Sequence, residues 1–366
     1  MTDRYRLAAI PGDGIGPEVL AAGRRVLEAA GERFGFELTW QEFVVGGAAI
    51  DAYGVAIREA DLKGCAEVDA IYLGAVGGPK WDDPNASVRP EQALFALRGG
   101  LSLYANLRPV VAEPAVAEAS TLRPEVLAGV DLVIVRELTG GIYFGRPSEE
   151  VQTPEGRMAV DTLRYHEAEI RRVVRLAFDL ARGRRHRVTS VDKANVLASS
   201  RLWRKVVEEV AVDYPDVAFE HRLVDAAAML LIRDPRSFDV LVTENLFGDI
   251  LSDEAGAVVG SLGLLPSASL GRGPGLYEPV HGSAPPLAGK DVANPIGAIL
   301  SVAMMLRHSF GLTKEATAIE AAVGHVLATG GRTRDLVADE AESHLGCAAM
   351  AKRIAEAATA MPAPAA

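Results

Sequence analysis

The chain has 366 residues, enough for two domains or for one large domain with an ample core. Its composition, with 49% hydrophobic and 24% charged residues, is typical of an ordinary soluble globular protein. A formal net charge of −11 argues against nucleic acid or an anionic membrane as a partner. A local cluster of arginines could still bind an anionic small molecule.

Strand-like and helical segments alternate from the start of the chain. The first are "RYRLAAI", a helix from Pro17 to Gly31, "ELTWQEFVV", a helix near Ala56 to Gly64, and "VDAIYLGAVG". Further strands are predicted at "DLVIVREL", "HRVTSV", "FEHRLV" and "FDVLVTEN". This alternation predicts an α/β fold with a parallel sheet covered by helices.

The stretch "AAIPGDGIGPEVL" has the strand, glycine-rich turn and helix expected of a dinucleotide-binding site. It does not match the Rossmann pattern G-x-G-x-x-G, because its glycines alternate strictly from Gly12 to Gly16. Asp13, inside the turn, would also repel a phosphate. We therefore predict that another segment holds any nucleotide.

One helical face in "PEQALFALRGG" carries four residues at positions i, i+3, i+4 and i+7: Glu91, Leu94, Phe95 and Arg98. The face could belong to the core and have charged ends. It could equally form the wall of a pocket for a substrate that has both a carboxylate and an alkyl group. The pattern alone does not choose between these interpretations.

Two further arginines stand at the ends of predicted core elements. Arg108 precedes Pro109, which favours an extended backbone, and Arg136 ends the apolar run "DLVIV". Because the planar guanidinium matches a carboxylate, Arg98, Arg108 and Arg136 together suggest a di-acid or tri-acid ligand. Each alone is more often a surface salt-bridge residue, so only their convergence would be informative.

Three aspartates are candidate metal ligands. Asp249 and Asp253 are four residues apart and share a helical face, and Asp225 precedes a wholly apolar run. Oxygen ligands of this kind fit Mg²⁺ or Mn²⁺, although solvated helix charges are the plainer alternative. Tyr143 in "GGIYFG" and Lys193 in "SVDKANVL" could move protons, or could be structural.

The stretch "TGGIYFGRPSEEVQTPEGRMAVD" contains two short segments around a turn signal from Thr153 to Gly156. It predicts a hairpin, either an arm that pairs with a second subunit or a simple surface hairpin. Near the other end, "VANPIGAILSVAMML" is short for a membrane span and predicts a buried core helix. The final stretch "EAATAMPAPAA" is predicted to be frayed.

Cys65 and Cys347 are far apart in the sequence and form neither a C-x-x-C pair nor a zinc spacing. The N-terminal residues are charged and no long apolar run follows them, so no signal peptide is predicted. We therefore expect reduced, buried thiols in a cytoplasmic protein.

Seven motifs occur together in one order: "GDGIGPEV", "RPEQALFALR", "YANLRP", "RELTGGIYFG", "VDKANVL", "ENLFGDILSDEA" and "EPVHGSAPPLAGKDVANP". In these motifs the chain resembles the isocitrate/isopropylmalate dehydrogenase family of β-decarboxylating dehydrogenases, from residue 8 to about 300. The resemblance implies two α/β domains without the Rossmann fingerprint. Residues 1–103 with 260–366 would bind the cofactor, and residues 104–259 would bind substrate, with a dimerisation arm at about 139–161.

The resemblance also implies roles for particular residues. Arg98, Arg108 and Arg136 would bind the malate carboxylates, and Glu91, Leu94 and Phe95 would meet the alkyl group and the nicotinamide. The metal ligands would be Asp249, Asp253 and the substrate-contacting Asp225, while Tyr143 and Lys193 would handle protons. In a homodimer with shared active sites, Asp225 and Lys193 would come from the partner subunit.

Two segments would hold the cofactor, NAD. The resemblance places adenosine on "HGSAPPLAGKDVANP" and the nicotinamide side near "GPKWDDPNASVRPE". The predicted contacts are Gly78, Glu91, Ser283, Ala284, Pro285, Pro286, Leu287 and Asn294. At Pro286 the NAD-dependent members carry an aspartate, and at Phe95 we expect leucine in most members.

The expected activity is NAD-dependent and Mg²⁺- or Mn²⁺-dependent oxidative decarboxylation of a substituted malate. "RELTGGIYFG" resembles the branch that acts on 3-isopropylmalate, since the isocitrate and homoisocitrate enzymes have Arg-Glu-Asn there. The alternative is a related enzyme acting on tartrate, malate or homoisocitrate. A phosphotransferase is disfavoured because no G-x-x-x-x-G-K-[ST] loop occurs in the sequence.

Overall fold

The computed structural model describes residues 3–83, 86–337 and 343–361. The β-strands of these residues are β1 (Asp3–Gly12), β2 (Phe36–Glu42), β3 (Ala70–Ala75), β4 (Leu103–Val111), β5 (Asp131–Glu137), β6 (Ser148–Thr153), β7 (Gly156–Asp161), β8 (Arg187–Asp192), β9 (Ala218–Leu223), β10 (Val240–Thr243), β11 (Pro266–Gly271) and β12 (Gly275–Pro279).

The α-helices of the same residues are α1 (Gly16–Phe34), α2 (Gly47–Tyr53), α3 (Glu59–Ala66), α4 (Glu91–Gly100), α5 (Pro124–Leu127), α6 (Glu167–Arg182), α7 (Ala198–Ala211), α8 (Val224–Arg233), α9 (Asn245–Val258), α10 (Ile296–His308), α11 (Thr313–Ala328) and α12 (Cys347–Ala360).

The chain divides into two compact units. Unit 1 contains Met1–Leu103, Ala112–Ala128 and Gly256–Ala366, and unit 2 contains Tyr104–Val111 and Gly129–Ala255.

This division differs from the predicted domain boundaries in two stretches, 112–128 and 256–259, which group with unit 1. The reason is long-range hydrogen bonding. Ser120 Oγ donates to the Val258 carbonyl at 2.6 Å, and the Arg332 guanidinium donates to the Ala115 carbonyl. Residues 112–128 are thereby attached to the chain that follows residue 256.

Within unit 1 the strands follow the order β2-β1-β3-β12-β11, and helices cover both faces. Alternate residues of β3 face opposite ways, as a strand requires. Ile71 and Leu73 join an apolar cluster with Ala93 and Leu97 of α4, whereas the Tyr72 hydroxyl donates to a carbonyl of α10, at Ala298. Helices α1, α10, α11 and α12 pack against one another.

Within unit 2 the strands follow the order β4-β5-β10-β8-β9. Helix α6 packs against α7 and against β5, β8 and β10. The strongly amphipathic pattern of α6 explains this, because Val173, Ala177 and Phe178 are completely buried. Among the described residues, strands β6 and β7 pair only with each other, in register from Ser148 opposite Asp161 to Thr153 opposite Gly156, so the predicted hairpin is confirmed.

The predicted α/β sheet is confirmed, but it is mixed and not parallel throughout. Strand β4 is antiparallel to β5, and β11 is antiparallel to β12. Strand β11 was not predicted, because its sequence, "PSASLG", consists of small and polar residues and one leucine. Residues Pro266–Ser269 are nevertheless buried. Burial there comes from tertiary packing and not from an apolar pattern.

The predicted core helix is confirmed as α10, which begins directly after Pro295 and is buried almost along its whole length. Among the described residues, no helix combines the length and the apolar character that crossing a membrane requires. At the other end of unit 1, α12 continues to Ala360, so residues Glu356–Ala360 are helical and not frayed as expected. Residues 362–366 of that predicted frayed stretch lie outside the described residues.

Candidate active site

In unit 2 the register of β4 and β5 places two arginines side by side. Arg136 lies directly opposite Asn106, which is two residues before Arg108 on the neighbouring strand. Because side chains two residues apart share a face of a strand, Arg108 and Arg136 project from the same face of the sheet. Both side chains are almost fully buried, and Arg108 has the extended backbone predicted from the following proline.

Each guanidinium is held by polar groups of α9. Arg108 Nη1 donates to Ser252 Oγ at 2.6 Å and to Asp253 Oδ1 at 3.1 Å, while its Nε donates to Asn106 Oδ1 at 2.9 Å. These bonds fix the planar fork of Arg108 before any ligand binds.

Arg136 is oriented by an amide. Its Nε and Nη2 both donate to Asn245 Oδ1, at 3.0 and 2.8 Å, and Asn245 Nδ2 donates to the Gly140 carbonyl at 3.0 Å. Arg136 Nη1 donates to Asp249 Oδ1. The Asn245 amide thus orients the guanidinium of Arg136, while the Asp249 carboxylate pairs with its positive charge.

Tyr143 belongs to the same cluster. Its hydroxyl donates to Asp249 Oδ2 at 2.9 Å, and the Arg136 guanidinium carbon lies 5.7 Å from the centre of the tyrosine ring. Burial, together with the adjacent Asp249 carboxylate, raises the pKa of Tyr143 to about 12. The phenol is therefore protonated at neutral pH and can act as a proton donor.

Asp249 and Asp253 fit part of a divalent-metal site. They lie one turn apart on α9, and their side chains are 35% and 60% exposed, although both also contact arginines. Carboxylate oxygens are the ligands that Mg²⁺ and Mn²⁺ prefer. Within the described ranges, no three His, Cys, Asp or Glu residues are grouped so as to hold a metal. One chain thus brings together two of the three predicted ligands.

The remaining predicted ligand, Asp225, instead lies beside the predicted base. Lys193 follows β8, Asp225 stands in the first turn of α8, and Lys193 Nζ donates to Asp225 Oδ1 at 2.8 Å. This hydrogen bond lowers the pKa of the Asp225 carboxyl. Unit 2 therefore carries two pairs, Lys193 with Asp225 and Tyr143 with Asp249.

In unit 1 the structure resolves the ambiguity of the α4 stripe. The core-facing residues of α4 are Ala93 and Leu97, both fully buried, whereas Glu91 is exposed and Phe95 is 38% exposed. Leu94 lies at the edge of the core cluster. The stripe is therefore divided: Leu94 and Arg98 lie against the core, whereas Glu91 and the ring of Phe95 are exposed.

Arg98, at the other end of the stripe, is buried and points to an acidic partner. Its Nη2 donates to Glu278 Oε1 of β12 at 3.3 Å. Its Nε is buried and has no hydrogen-bond partner in the part of the chain that the structure describes. A buried donor without an acceptor is costly, so a ligand carboxylate would fit there.

The predicted cofactor segment is a loop after β12. Ser283 is buried, Ala284 has a left-handed backbone (φ 37°), and Pro285–Leu287 form an exposed single turn. Just before it, His281 Nε2 is buried without a partner among the described residues. Exposed apolar side chains beside an unused polar atom fit a nucleoside, which has an apolar face and a hydrogen-bonding edge.

The side chains of two residues in this segment form hydrogen bonds within the protein. Asn294 Oδ1 accepts from the backbone N–H of Ile296, and its Nδ2 donates to Asp335 Oδ2, both at 3.0 Å. Asp291, a possible substitute for the aspartate expected at Pro286, accepts from the Ala348 backbone N–H at 2.8 Å, in the first turn of α12. Residues 84–85 of the predicted nicotinamide segment lie outside the described residues.

Sequence reasoning missed several polar residues that support the site, namely Asn245, Glu278 and the buried carboxylates Glu137 and Glu244. Burial raises the pKa of both carboxyls. Three of these four residues could have been found from the sequence, because they directly end or follow predicted strands. Thr243 of β10 lies beside Arg136 of β5 in a parallel pair, so residues 137, 244 and 245 all come at the carboxyl ends of these strands, where ligands of α/β sheets bind.

Comparison with known proteins gives a consistent result along the chain. The model of the family described as isocitrate/isopropylmalate dehydrogenase matches residues 6–354. Among solved structures, an isocitrate dehydrogenase from Methylococcus capsulatus aligns with a TM-score of 0.85 and 37% identity, covering 97% of this chain and 99% of that one.

Curated relatives are more similar in sequence. The 3-isopropylmalate dehydrogenase of Geobacillus kaustophilus is 62% identical over 333 residues, which is 91% of this chain and 90% of that protein. The 3-isopropylmalate dehydrogenase of Priestia megaterium is 57% identical over 350 residues, 95% of this chain and 94% of that protein.

Proposed function

The chain belongs to the isocitrate/isopropylmalate dehydrogenase family, and from this premise we propose that it is a 3-isopropylmalate dehydrogenase. It catalyses the NAD-dependent oxidative decarboxylation of (2R,3S)-3-isopropylmalate to 4-methyl-2-oxopentanoate, a step of leucine biosynthesis. The observation that carries this proposal is the unit 2 cluster, in which two buried arginines, a protonated tyrosine and two aspartates are joined by hydrogen bonds.

The arginines suit a substrate with two carboxylates. Arg108 and Arg136 present charged forks from one face of the sheet, and Arg98 in unit 1 has an unused buried donor. We propose that these three side chains bind the malate carboxylates, while Leu94 and Phe95 contact the isopropyl group. A substrate held in one orientation has already lost its translational and rotational entropy on binding, so the chemical step does not have to pay that cost.

Proton transfer falls to two groups of this chain. Lys193 Nζ accepts the proton of the 2-hydroxyl, directly or through water. After the C3 carboxylate leaves as CO₂, the Tyr143 hydroxyl donates a proton to C3 of the enolate. Its hydrogen bond to Asp249 fixes the direction of that hydroxyl.

NAD and Mg²⁺ or Mn²⁺ are the proposed cofactors. Asp249 and Asp253, with Asp225 of the partner subunit, would hold the cation, and Gly78, Glu91 and residues 283–287 with Asn294 would contact NAD. When bound, NAD would supply the acceptor for the C2 hydride, and the cation would supply the Lewis acidity that lowers the pKa of the 2-hydroxyl.

We propose that the protein acts as a homodimer in which each active site takes Lys193 and Asp225 from the partner subunit. Large apolar side chains on unit 2 support an interface, since Met229 of α8 is 60% exposed and Ile250 of α9 is 58% exposed. The β6–β7 hairpin, which pairs with no other strand of the described residues, is the proposed arm. The two free buried cysteines are compatible with a cytoplasmic location.

The direct test is a substrate panel. The purified protein is assayed with 3-isopropylmalate, isocitrate, homoisocitrate, tartrate and malate, each with NAD or NADP and a divalent metal. We expect the highest kcat/KM with 3-isopropylmalate and NAD. A higher value with another acid would assign the protein to a different activity within the same family.

A further inference from the structure

The turn "GDGIG" contains a buried carboxylate, that of Asp13, which forms no ion pair with any other residue that the structure describes. Asp13 is 6% exposed. Its Oδ2 accepts hydrogen bonds from the backbone N–H groups of Gly47 and Gly77, both at 2.8 Å, and its Oδ1 accepts from Ala48 N–H at 2.9 Å. Three backbone donors therefore converge on one side chain.

These donors come from two separate segments, which lie 34 to 64 residues further along the chain. One is the first turn of α2, and the other is the segment after β3 that leads to Gly78. Gly46 fits closely beside the carboxylate, because a Cβ atom there would lie 2.7 Å from Asp13 Oδ2. The Asp13 N–H itself donates to the Ala75 carbonyl at 2.8 Å.

The same turn is attached to the predicted adenosine loop. The Ile15 N–H donates to the Ser283 carbonyl at 2.8 Å, and a Cβ atom on Gly14 would lie only 2.0 Å from that oxygen. One helical turn later, the Glu18 carboxylate accepts from the Gly289 N–H. The GDGIG turn thus contacts the segments proposed for both ends of the cofactor.

Trp81 provides a natural probe of this arrangement. Its ring packs on Gly47, so closely that a Cβ atom there would lie 2.3 Å from it, and its Nε1 donates to Asp51 Oδ1 at 3.1 Å. Gly47 is one of the residues that Asp13 holds. The environment of Trp81 should therefore change if the Asp13 carboxylate releases its donors.

We propose that Asp13 is a positioning residue for NAD: its carboxylate fixes Gly77 and Gly78 relative to Ser283 without contacting the cofactor. This inference rests on the proposed function for the identity of the ligand. The negative charge of Asp13 makes the turn unsuitable for binding phosphate. In this proposal the same charge serves to hold the backbone N–H groups of the neighbouring segments.

Only a carboxylate serves all three donors. In Asp13→Asn, one oxygen is replaced by an NH₂ group, which cannot accept a hydrogen bond. Whichever way the amide is turned, at least one backbone N–H then faces another donor. Asp13→Ala removes all three acceptors but leaves the backbone of the turn in place.

The test compares these variants with Asp61→Asn, a matched control in the same unit. Asp61 is also almost fully buried, but its carboxylate accepts from the Arg58 side chain, at 2.7 and 2.8 Å. NAD affinity is measured by titration calorimetry, and KM is measured for both substrates. Acrylamide quenching of Trp81 in the unliganded protein, isolated by difference from Trp81→Phe, reports the loop without any ligand.

For Asp13→Asn we expect the Kd and KM of NAD to rise about tenfold, and more for Asp13→Ala, as expected for losing charge-assisted hydrogen bonds. KM for 3-isopropylmalate should change less than about twofold, since Asp13 touches no residue proposed to bind it. Quenching of Trp81 should increase. Asp61→Asn should leave the NAD and Trp81 values unchanged even where it lowers stability.

Unchanged NAD affinity in Asp13→Asn, or an equal loss in Asp61→Asn, would overturn the positioning role. If the unaltered protein binds no nicotinamide cofactor at all, the proposed function fails. Trp81 quenching then decides alone whether Asp13 holds the loop: an increase in Asp13→Asn supports the inference, and identical quenching in both proteins refutes it.

Discussion

The candidate binding residues of the two units are held in place in different ways. In unit 2 the candidate residues are charged side chains on strand ends and on α9, and they bind one another, as Arg136 binds Asn245 and Asp249. In unit 1 the candidate cofactor segments are loops. Their positions are set mainly by backbone hydrogen bonds, such as those to Asp13 and Ser283.

The difference fits what each proposed ligand requires. A small di-acid undergoing proton transfer needs charges held in advance, and buried charges are tolerated only when they are paired. A dinucleotide offers a long surface that backbone loops can follow. We therefore expect changes in unit 2 to affect turnover, and changes in unit 1 to affect cofactor affinity and substrate choice.

Removing the metal should have the largest effect. Exhaustive chelation should abolish NADH formation, and added Mg²⁺ or Mn²⁺ should restore it, because Asp249 and Asp253 of unit 2 are the proposed oxygen ligands. NAD binding, measured by calorimetry, should survive chelation, since the proposed NAD contacts lie in unit 1. Activity that persists without divalent metal would contradict the metal assignment.

Removing either proton-transfer group should lower turnover by about two to four orders of magnitude, the range for positioned acid–base groups. The variants are Lys193→Met and Tyr143→Phe, and kcat is the measurement. NAD affinity should stay within about twofold of the unaltered protein if the division between the units holds. A Lys193→Met enzyme with normal kcat would exclude that lysine as the base.

Mixing the two inactive proteins tests whether sites are shared between subunits. A hybrid dimer would have one site with both Tyr143 and Lys193 intact, so random reassortment should restore about a quarter of the original activity. If each chain supplies both groups to its own site, mixing restores nothing. Mixing in the cold, before subunits exchange, serves as the control.

Pro286→Asp should strengthen NAD binding in unit 1. Pro286 is exposed in the turn after Ala284, where an aspartate could accept hydrogen bonds from the adenosine ribose. Such bonds are worth roughly 1.5–3 kcal/mol, so KM for NAD should fall about ten- to a hundredfold. KM for NADP should not fall, because a carboxylate repels its 2′-phosphate.

Asp291 provides the comparison for this prediction. It already accepts a hydrogen bond from α12, which argues that it does not replace the missing ribose acceptor. If Asp291→Asn weakens NAD binding and Pro286→Asp leaves the ratio of NAD to NADP preference unchanged, the role belongs to Asp291 and not to position 286.

The smallest effect is expected from Phe95→Leu. The ring of Phe95 is accessible on α4, and one methylene in such a pocket is worth ~1–3 kcal/mol of discrimination. The leucine variant should therefore gain relative kcat/KM for 3-alkylmalates bulkier than 3-isopropylmalate. Identical relative rates across an alkylmalate series would show that Phe95 does not line the alkyl pocket.

Local sequence patterns were sufficient for much of this protein. Apolar alternation and helical spacing identified most strands and several helices, including the buried helix α10 and the β6–β7 hairpin. Motif order identified the family, which the matching model and relatives confirm. Such signals depend on neighbours within one turn or one strand, so they can be read from the chain itself.

Tertiary structure alone decided which group each charge meets. Asp13, judged from its neighbours, is only a repulsive charge in a turn, yet in the fold it binds three N–H groups from distant segments. The α4 stripe was ambiguous until the core was seen to lie under Ala93 and Leu97. Hydrogen-bond partners and core faces depend on residues far along the chain. Packing, and not distance in the sequence, determines which polar groups are buried away from water and therefore form hydrogen bonds with one another.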